Sequence, residues 1–493
     1  MVNIALRSVR FCACCYLLLA IAACSSGITN FGDEKTSVRV MTFNIEWGGD
    51  HVSFDNVIET IRLSEADVVG IQEAEGNLDR LASGLGWHYD RRNYTVSRYP
   101  LLDPPGADGR YVLVEVTPGR VMALANLHLP SDPYGADLVR DGAEPLTVLA
   151  NERQVRLPAL SPYLGTLPGL VESDMPVIVT GDFNSPAHTD WTEAMIGKRP
   201  FLNYAFSWPV TVAMENAGFS DAWRVIYPNP ATNPGLTWWA GRPPLESYAP
   251  GENDAEDRID YIWFAGPAAP QAAFIAGEVN GPEVSLAVSP WPSDHRAMFA
   301  DFEIEPLLMP DLVTTDRRIY ALDDVVRIRA RINAPESPIA VTVKAEDGIT
   351  ILSGEHDGPD VQLTLRPAAA GEYTVSALTP GDSYERTFWV LPRDAKPAVS
   401  VEKSDSSTRV LWRYAPGHRN DYVALYEAGE PDLINGMLGY SYIGAKPQGT
   451  MDIAALLGSL TIGPESTRYV VRLMKDDGYE VLAESPPFNI ETD

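Results

Sequence analysis

The sequence contains a short polar motif, Gly181-Asp182-Phe183-Asn184, directly after the apolar run 175–180. An apolar run closed by a turn predicts a buried strand. Because side chains alternate along an extended chain, Asp182 and Asn184 share one face of the strand's tip. A carboxylate can take a proton and an amide can donate to an anionic oxygen, a pairing that suits phosphate chemistry. The motif alone decides little, since Asp and Asn after a strand are most often ordinary turn residues.

Five further apolar runs carry residues of the same chemical kind at or near one end. A single charged residue after an apolar run is usually the strand emerging into water. Repetition over six strands instead favours a shared site to which each strand delivers one or two polar groups. The residues are Asn44 and Glu46 on a common face of run 38–47, Glu73 after 67–72, His128 after 121–127, Asp260 in 257–263, and Asp294 with His295 in 293–299.

In chain order, these blocks resemble the endonuclease/exonuclease/phosphatase superfamily of metal-dependent phosphohydrolases over residues 37–305. The resemblance implies an α+β fold, a four-layer α/β/β/α sandwich like that of deoxyribonuclease I, with the site where strand ends converge. Near-continuous apolar strands agree with sheets that are covered on both faces. The matching blocks are Thr42-Phe43-Asn44, Gln72-Glu73, His128, Gly181-Asp182-Phe183-Asn184, Arg258-Ile259-Asp260-Tyr261 and Ser293-Asp294-His295.

The resemblance also implies a metal site. Glu73 is the best-matched ligand, Glu46 stands where several members keep another acidic ligand, and Asp294 is expected near the metal from the other side. Asn44 would orient a phosphate oxygen or a ligand. A hard cation prefers such oxygen ligands, so the expected cofactor is Mg²⁺, with Mn²⁺ and Ca²⁺ as alternatives.

The same resemblance assigns catalytic roles. Asp260 would accept a hydrogen bond from one ring nitrogen of His295, which then draws a proton from the attacking water or, if protonated, stabilises the phosphorane charge. Asp182 would handle proton transfer and Asn184 would donate to a non-bridging oxygen. His128 resembles a second histidine of the nuclease members, with a satisfied core histidine as the alternative.

The N-terminus has the layout of a secretory signal peptide: Arg7 and Arg10, an apolar stretch over 15–21, then small residues. Ile21-Ala22-Ala23-Cys24 resembles the bacterial lipoprotein box, which implies cleavage after residue 23, lipid on Cys24 and a polar tether over 24–36. An uncleaved anchor is the alternative, although the apolar stretch is short for a membrane span. We therefore expect an extracytoplasmic protein on the bacterial membrane, with Ser25 favouring the outer membrane.

Charge and cysteine content limit the remaining possibilities. All four cysteines lie at or before Cys24, so the processed chain has neither a disulfide nor a cysteine metal site. Processing leaves 36 basic and 67 acidic residues, a net charge of −31. Such an acidic chain lacks the broad basic surface of a tight, non-specific nucleic-acid binder, although a bound cation can still meet a phosphate substrate.

After residue 305 the pattern changes to short alternating strands without comparable helix signals, including 339–346, 361–366, 371–378 and 384–391. This spacing predicts two all-β sandwich modules, at 306–394 and 395–493, with no catalytic constellation of their own. Most tryptophans are expected in the core rather than on a base-stacking platform. The loops 132–146 and 226–256 are the expected specificity loops.

Together these features predict a metal-dependent phosphoester hydrolase, most simply an extracytoplasmic phosphodiesterase or nuclease. A phosphomonoesterase or lipid-headgroup phosphodiesterase is the alternative, which the charge and the anchor favour over a DNA binder. A non-catalytic scaffold is disfavoured because the acid, amide and histidine residues occur together. The expected partners are a phosphoester substrate (nucleic acid, lipid headgroup or small diester) and the membrane; no protein partner can be inferred.

Overall fold

The computed structural model describes residues 35–245, 256–333, 338–404, 407–457 and 467–490. The predicted signal peptide, the lipidation site Cys24, almost all of the tether and part of the loop 226–256 lie outside these ranges. Residues 35–493 form one compact unit. Within the described ranges, no helix is long and apolar enough to cross a membrane.

We call the part of the chain with the predicted site, residues 37–305, the catalytic region. The described part of its first sheet has seven strands in the order β12-β11-β13-β1-β2-β4-β3. Its centre pairs β1 in parallel with β2 and antiparallel with β13, so the ends of the first two strands meet at one edge. The strands are β1 (Thr36–Asn44), β2 (Val68–Gln72), β3 (His88–Asp90), β4 (Thr95–Ser97), β11 (Ala268–Gly277), β12 (Val284–Ala287) and β13 (Ala297–Ile304).

The second sheet has the order β5-β6-β7-β8-β10-β9, with β14 added beside β7. Strands β7 and β8 run parallel, and β10 pairs antiparallel with β8. The strands are β5 (Leu101–Leu102), β6 (Val112–Thr117), β7 (Arg120–His128), β8 (Val177–Asp182), β9 (Ser220–Asp221), β10 (Asp260–Ala265) and β14 (Leu307–Leu308).

The described part of the catalytic region contains seven α-helices. They are α1 (Phe54–Leu63), α2 (Leu78–Leu85), α3 (Gly135–Arg140), α4 (Pro145–Leu164), α5 (Leu167–Val171), α6 (Pro209–Asn216) and α7 (Ala222–Ile226). In α1, Ser53 caps the first turn by accepting from the Asn56 amide, and Phe54, Val57 and Ile61 form the buried stripe of an amphipathic helix. Helix α3 lies inside the expected loop 132–146, so that segment is partly helical.

Alternating side chains on the central strands build the layers. On β1, Val40 belongs to the core between the two sheets, whereas Met41 belongs to the core beneath α1 and α2. On β8, Ile178 faces the first sheet and Val179 faces the core of α4, α5 and α6. Burial on both faces explains the near-continuous apolar runs and confirms the predicted four-layer α/β/β/α fold.

Two all-β modules follow, as predicted, each made of two packed sheets. The first contains β15-β17-β20 and β16-β22-β21-β18-β19, and the second contains β23-β24-β27 and β26-β25-β28-β29. The first comprises β15 (Leu312–Thr315), β16 (Ile319–Ala321), β17 (Val326–Arg331), β18 (Ile339–Ala345), β19 (Thr350–His356), β20 (Asp360–Leu365), β21 (Gly371–Leu378) and β22 (Ser383–Leu391). The second comprises β23 (Ala398–Ser404), β24 (Ser407–Arg413), β25 (Tyr422–Glu427), β26 (Gly439–Tyr442), β27 (Gln448–Asp452), α8 (Ala454–Leu457), β28 (Tyr469–Met474) and β29 (Val481–Glu484).

Both modules contact the catalytic region. Arg329 of the first module forms an ion pair with Glu115 at 2.6 Å, and its Arg386 reaches the buried Asp103. Asp476 of the second module accepts a hydrogen bond from the Gly76 amide at 2.6 Å. Strand β14 lies just past the boundary predicted at residue 305, yet it extends the second catalytic sheet.

Candidate active site

Asn44 at the end of β1 lies at the centre of the converging strand ends. Its Nδ2 donates to Glu73 Oε1 at 2.9 Å and to Asp182 Oδ2 at 3.1 Å, and lies 3.4 Å from His295 Nε2. Its Oδ1 accepts from the Glu46 amide. One buried amide therefore touches groups from both sheets, which places the predicted metal side and the predicted proton-transfer side within reach of one small ligand.

The second sheet supplies Asp182, Asp260 and His128 through strand register. Asp260 lies opposite Asp182 in the antiparallel β8–β10 pair, and His128 lies beside Asp182 in the parallel β7–β8 pair. His128 Nε2 is 3.5 Å from Asp182 Oδ2 and 4.0 Å from Glu73 Oε1. His128 is thus a partly exposed member of the site and not a satisfied core histidine.

Asn184 binds the same group of residues. Its Nδ2 contacts His128 Nε2 at 3.1 Å and donates to the Leu129 carbonyl at 2.9 Å, while its backbone amide donates to Asp182 Oδ1 at 2.8 Å. These contacts hold the tip of β8 in a fixed turn. The expectation that Asp182 and Asn184 act on one substrate therefore agrees with their placement.

His295 and Asp260 form the expected dyad. His295 Nδ1 lies 2.9 Å from Asp260 Oδ2, both side chains are buried, and the free Nε2 lies 3.7 Å from Asp182 Oδ2. Ser293 Oγ donates to the Asn44 carbonyl at 2.7 Å and accepts from the His295 amide, which fixes the segment against β1. A carboxylate on one ring nitrogen leaves the other aimed at the substrate position.

The charges around this dyad shift its titration. Burial alone would lower the pKa of His295, but Asp260, Asp182 and Asp294 together raise that pKa well above its usual value. Burial and the neighbouring Asp260 raise the pKa of Asp182 to about 6. An imidazolium beside a carboxyl group that titrates near neutrality can exchange protons with a reacting phosphoester.

The Glu73 side chain remains negative in these surroundings. Burial opposes its charge, but His128, His295, the Asn44 amide and the Trp47 backbone amide together lower the pKa of Glu73. Burial also raises the pKa of Asp294, whose Oδ2 accepts a 3.4 Å hydrogen bond from Trp238 Nε1. The pKa of Glu73 is lowered and that of Asp294 is raised, so Glu73 is the better anionic ligand.

Several site residues occupy the left-handed region of backbone space, which residues with side chains rarely adopt. The φ angles are 54° at Glu46, 54° at Glu73 and 46° at Asn184. Each such residue costs on the order of 1–3 kcal/mol and persists only where its surroundings hold it. For Glu73 the hold is a pair of hydrogen bonds from the backbone amides of Trp47 and Gly48, at 2.9 and 2.8 Å.

The predicted role of Glu46 is corrected. Strand β1 ends at Asn44 and the chain turns, so Glu46 does not continue the face of Asn44. Both its carboxylate oxygens accept from Arg242, at 2.6 and 2.7 Å, and one also accepts from the Asp294 amide. This buried ion pair makes Glu46 a clamp between a loop and the Asp294 segment, and a metal ion would have to compete with Arg242 for both oxygens.

The donor chemistry fits a hard cation. Asp260 Oδ1 is buried and has no hydrogen-bond partner within the described ranges. Donor atoms of Asp182, Asp260 and His295 lie within 4.8 Å of one another. The hydrogen bond between Asp260 and His295 already occupies one metal-coordinating atom of each residue. Glu73, with Asn44 beside it, is therefore the stronger candidate for binding the metal ion. Asp182 and Asp294 are also close enough to contribute oxygen ligands.

Other buried polar residues support the site and were not identified from the sequence. Asn126 Nδ2 donates to the Ile71 carbonyl at 2.8 Å and its Oδ1 accepts from Gln72 and Thr180, which ties β7 to β2 across the sheets. Thr237 Oγ1 accepts from the Asp260 amide at 3.1 Å. These residues stand mid-strand or in a loop without a local motif, so sequence spacing gave no signal for them.

Asp190 and Asp257 are buried ion-pair partners near the site. Asp190 accepts from Arg258 and Arg224 at 2.9 and 2.6 Å, and these guanidinium groups lower its pKa to about 2 although burial opposes the shift. Asp257 pairs with Arg199. The Arg258 pairs lie two residues before Asp260 and brace the strand that carries it.

Among the described residues, six tryptophans are buried in a core, as expected: Trp191, Trp208, Trp223, Trp263, Trp291 and Trp412. Trp238 and Trp239 are half-buried. Trp238 contacts Asp294 and packs edge-on against Tyr134, with ring centroids 5.7 Å apart. It therefore lines the site and does not form part of a stacking platform.

Comparison with known proteins adds independent information. The family model described as "Endonuclease/Exonuclease/phosphatase family" matches residues 41–295. An uncharacterized protein of Caenorhabditis elegans is 29% identical over 315 residues, which cover 58% of this chain and 98% of that protein.

Two solved structures resemble part of the chain. D. rerio TDP2 complexed with a single-strand DNA product shows 15% identity and a TM-score of 0.34, over 54% of this chain and 99% of that one. A mannosyl-6-phosphatase of Bacteroides thetaiotaomicron shows 14% identity and a TM-score of 0.33, over 54% and 99%. At these values, neither structure bears on the activity of this chain.

Proposed function

Because the chain belongs to the endonuclease/exonuclease/phosphatase family, we propose that it is a divalent-metal-dependent phosphodiesterase whose active site lies at the strand ends around Asn44. The proposal depends on one observation: the Asn44 amide lies 2.9 Å from Glu73, 3.1 Å from Asp182 and 3.4 Å from His295. A phosphoryl group beside this amide meets a metal-binding carboxylate, a titrating carboxyl group and an imidazole at once. Fixed groups of this kind stabilise charge as it develops on phosphorus.

The residues divide the proton transfers. With a pKa of about 6, Asp182 is mainly ionised at pH 7 and takes a proton from the attacking water. His295, whose pKa is raised, holds its proton on the ring and presents Nε2–H to the developing negative charge while Asp260 keeps the ring oriented. Asn184 and His128 flank the phosphoryl group on the exposed side, where the leaving oxygen must take up a proton.

The metal would be held by Glu73, with Asn44 and Asp294 beside it. A bound Mg²⁺ would supply positive charge to a phosphate oxygen. The chain itself supplies the lowered pKa of Glu73, which keeps that ligand ionised, and the positive φ of Glu73, which turns its carboxylate toward Asn44.

A phosphomonoesterase or a lipid-headgroup phosphodiesterase is the second candidate. The net charge of −31 after signal-peptide removal favours it over an enzyme for long nucleic acids, because a polyanion is repelled by an acidic surface. A non-catalytic scaffold remains disfavoured, since the buried carboxylates of the site would carry a desolvation cost without a use.

The activity is tested with the full chain and a substrate panel. The substrates are plasmid DNA, RNA, sphingomyelin, p-nitrophenyl phosphate and bis(p-nitrophenyl) phosphate, each with EDTA or with Mg²⁺. We expect Mg²⁺-dependent hydrolysis of at least one diester, and a loss of about a thousandfold in His295→Ala. Undiminished activity in His295→Ala, or equal activity in EDTA, contradicts the proposed mechanism.

We also propose that Cys24 carries a lipid that anchors the protein outside the cytoplasm to the bacterial membrane, with the outer membrane favoured. The support is the sequence alone: the basic start, the apolar stretch and the Ile21-Ala22-Ala23-Cys24 box. Mass spectrometry of the mature N-terminus is expected to show a chain that begins at acylated Cys24. An unmodified cysteine inside an uncleaved N-terminus contradicts it.

A further inference from the structure

Loops of the second β module line the same cavity as the catalytic residues. A cavity of about 250 Å³ is lined by Glu73 and His128 on one side and by residues of the second β module on the other. The residues from that module are Arg419, Asn420, Asp476, Asp477 and Tyr479. They lie more than 280 positions after His128 in the chain, so only the packing of the module brings them there.

The two loops are fixed against the catalytic region. Arg419 donates to the backbone carbonyl of Asn126 on the strand of His128 and to the hydroxyl of Tyr163 in α4. Asp476 accepts from the Gly76 amide at 2.6 Å, three residues after Glu73, and from the Tyr94 hydroxyl. The contacts on each side of the cavity give the module a defined position beside Glu73 and His128.

The loops are also tied to each other. Asp421 accepts from the amides of Gly417, His418 and Asp476, at 2.8, 2.9 and 3.2 Å. This internal bracing makes both loops one rigid wall. A rigid wall can discriminate between substrates, because it does not move aside for the wrong one.

Asp477 is the exposed charge on this wall. Its carboxylate oxygens accept from Tyr442 Oη at 2.6 Å and from Asn420 Nδ2 at 3.1 Å, which hold it in place. Among the described residues, no Lys or Arg forms an ion pair with it. Across the cavity, burial and the neighbouring Glu73, Asp476 and Asp477 raise the pKa of Glu75 to about 8, so Glu75 adds little negative charge at pH 7. The exposed Trp47 and Tyr479 add aromatic faces. Arg419 is the one described Lys or Arg in the lining, and its guanidinium is used by Asn126 and Tyr163.

We propose that the second β module forms one wall of the active-site cleft and selects the group esterified to the phosphate by charge, with Asp477 as a specificity-determining residue. This inference rests on the proposed phosphodiesterase function. Cationic and neutral polar groups fit a wall that presents the Asp477 carboxylate beside aromatic faces, and this carboxylate repels the further phosphates of a polyanion. The favoured substrate is a compact phosphodiester with a cationic or neutral substituent, and duplex nucleic acid is disfavoured.

The test uses two esters of equal shape and different charge. The probes are p-nitrophenyl phosphorylcholine, whose substituent carries a quaternary ammonium, and its carbon isostere with an uncharged substituent, p-nitrophenyl 3,3-dimethylbutyl phosphate. The readout is the ratio of kcat/KM for the ester with the ammonium substituent to that for the carbon isostere. In the full-length wild type we expect a ratio above one. Asp477→Asn is expected to lower it about threefold and Asp477→Lys about tenfold or more, as near charges in a partly solvated site predict.

Two controls separate charge from folding. Asp357, an exposed carboxylate in the first β module, gives the matched variants Asp357→Asn and Asp357→Lys, which are expected to leave the ratio unchanged. Tyr442→Phe removes a hydrogen bond of Asp477 but keeps its charge, so its ratio stays closer to wild type than that of Asp477→Lys. A ratio shift in Tyr442→Phe as large as in Asp477→Lys shows that loop geometry, not charge, decides, and overturns the assignment.

The outcomes distinguish this inference from the proposed function. If wild type hydrolyses both esters, His295→Ala does not, and Asp477→Lys leaves the ratio unchanged, the phosphodiesterase stands and the specificity wall is refuted. A wild type that cleaves plasmid duplex faster than either ester also refutes the wall. If wild type cleaves no phosphodiester under any metal condition, the proposed function itself fails.

Discussion

The two sides of the cleft are built differently. The inner side consists of strand ends from two sheets, where Asn44, Asp182, Asp260 and His295 are each at most 4% exposed and contact one another directly. The outer side consists of loops of an appended module, where Asp477 is exposed and Tyr479 is 45% exposed. Buried side chains held by several contacts can position the atoms that react. A polar wall that substrates can reach can select among them.

This comparison predicts that substitutions on the inner side abolish chemistry, whereas those on the outer side change selectivity. The largest inner-side effect is expected for Asp260→Asn. It removes the carboxylate that orients His295, so kcat is expected to fall about a thousandfold. Because Asp260 raises the pKa values of both His295 and Asp182, the limbs of the pH–rate profile are expected to move to lower pH. A wild-type kcat with an unmoved profile contradicts the dyad.

Glu73→Gln is expected to have the next largest effect. Loss of the ionised oxygen ligand should weaken Mg²⁺ binding, measured by calorimetry, and Mg²⁺-dependent turnover by on the order of a hundredfold. Glu46→Gln is the matched control. Its carboxylate is held by Arg242, so it should lower stability without weakening Mg²⁺ binding. Weaker Mg²⁺ binding in Glu46→Gln with unchanged binding in Glu73→Gln would show that Glu46, not Glu73, is the metal ligand.

The smallest of these three expected effects concerns Asp190, whose ion pairs brace the strand that carries Asp260. The pKa of Asp190 is 3.8 in a model compound and about 2 in the folded protein, so its ionisation stabilises the fold above pH 3.8, and this contribution is lost as pH falls to 2. Two pKa units correspond to about 2–3 kcal/mol. Urea denaturation of wild type and Asp190→Asn between pH 2 and 5 should show that contribution in the wild type only. Parallel pH curves for the two proteins would mean that Asp190 is not an ion-pair partner.

The sequence predicted much of the inner side, because each residue there stands at the end of an apolar strand and the strand period fixes its direction. The two β modules were predicted because alternation and turn spacing are local properties. The four-layer fold was predicted from the resemblance of the motif blocks to a known family, with which the near-continuous apolar strands agree. Glu46 was misplaced because the strand ends two residues earlier, where the backbone turns to positive φ.

The contacts between distant parts of the chain, on the outer side and around the inner side, could not be predicted, because no local signal relates the residues that meet. Arg242 lies 196 positions from Glu46, and Asp476 lies 400 positions from Gly76. Asn126 joins the two sheets from the middle of a buried strand, where a polar residue carries no turn or motif pattern. Such contacts arise from how the layers and modules pack, which periodicity along the chain does not record.

The central claim is that both sheets form one site around a single amide. The most direct measurement is Mg²⁺-dependent hydrolysis of bis(p-nitrophenyl) phosphate by Asn44→Ala, with urea denaturation alongside to verify folding. Since Asn44 contacts Glu73, Asp182 and His295, kcat/KM is expected to fall about a hundredfold or more in a protein that remains folded. A folded Asn44→Ala protein with wild-type kcat/KM would contradict the account.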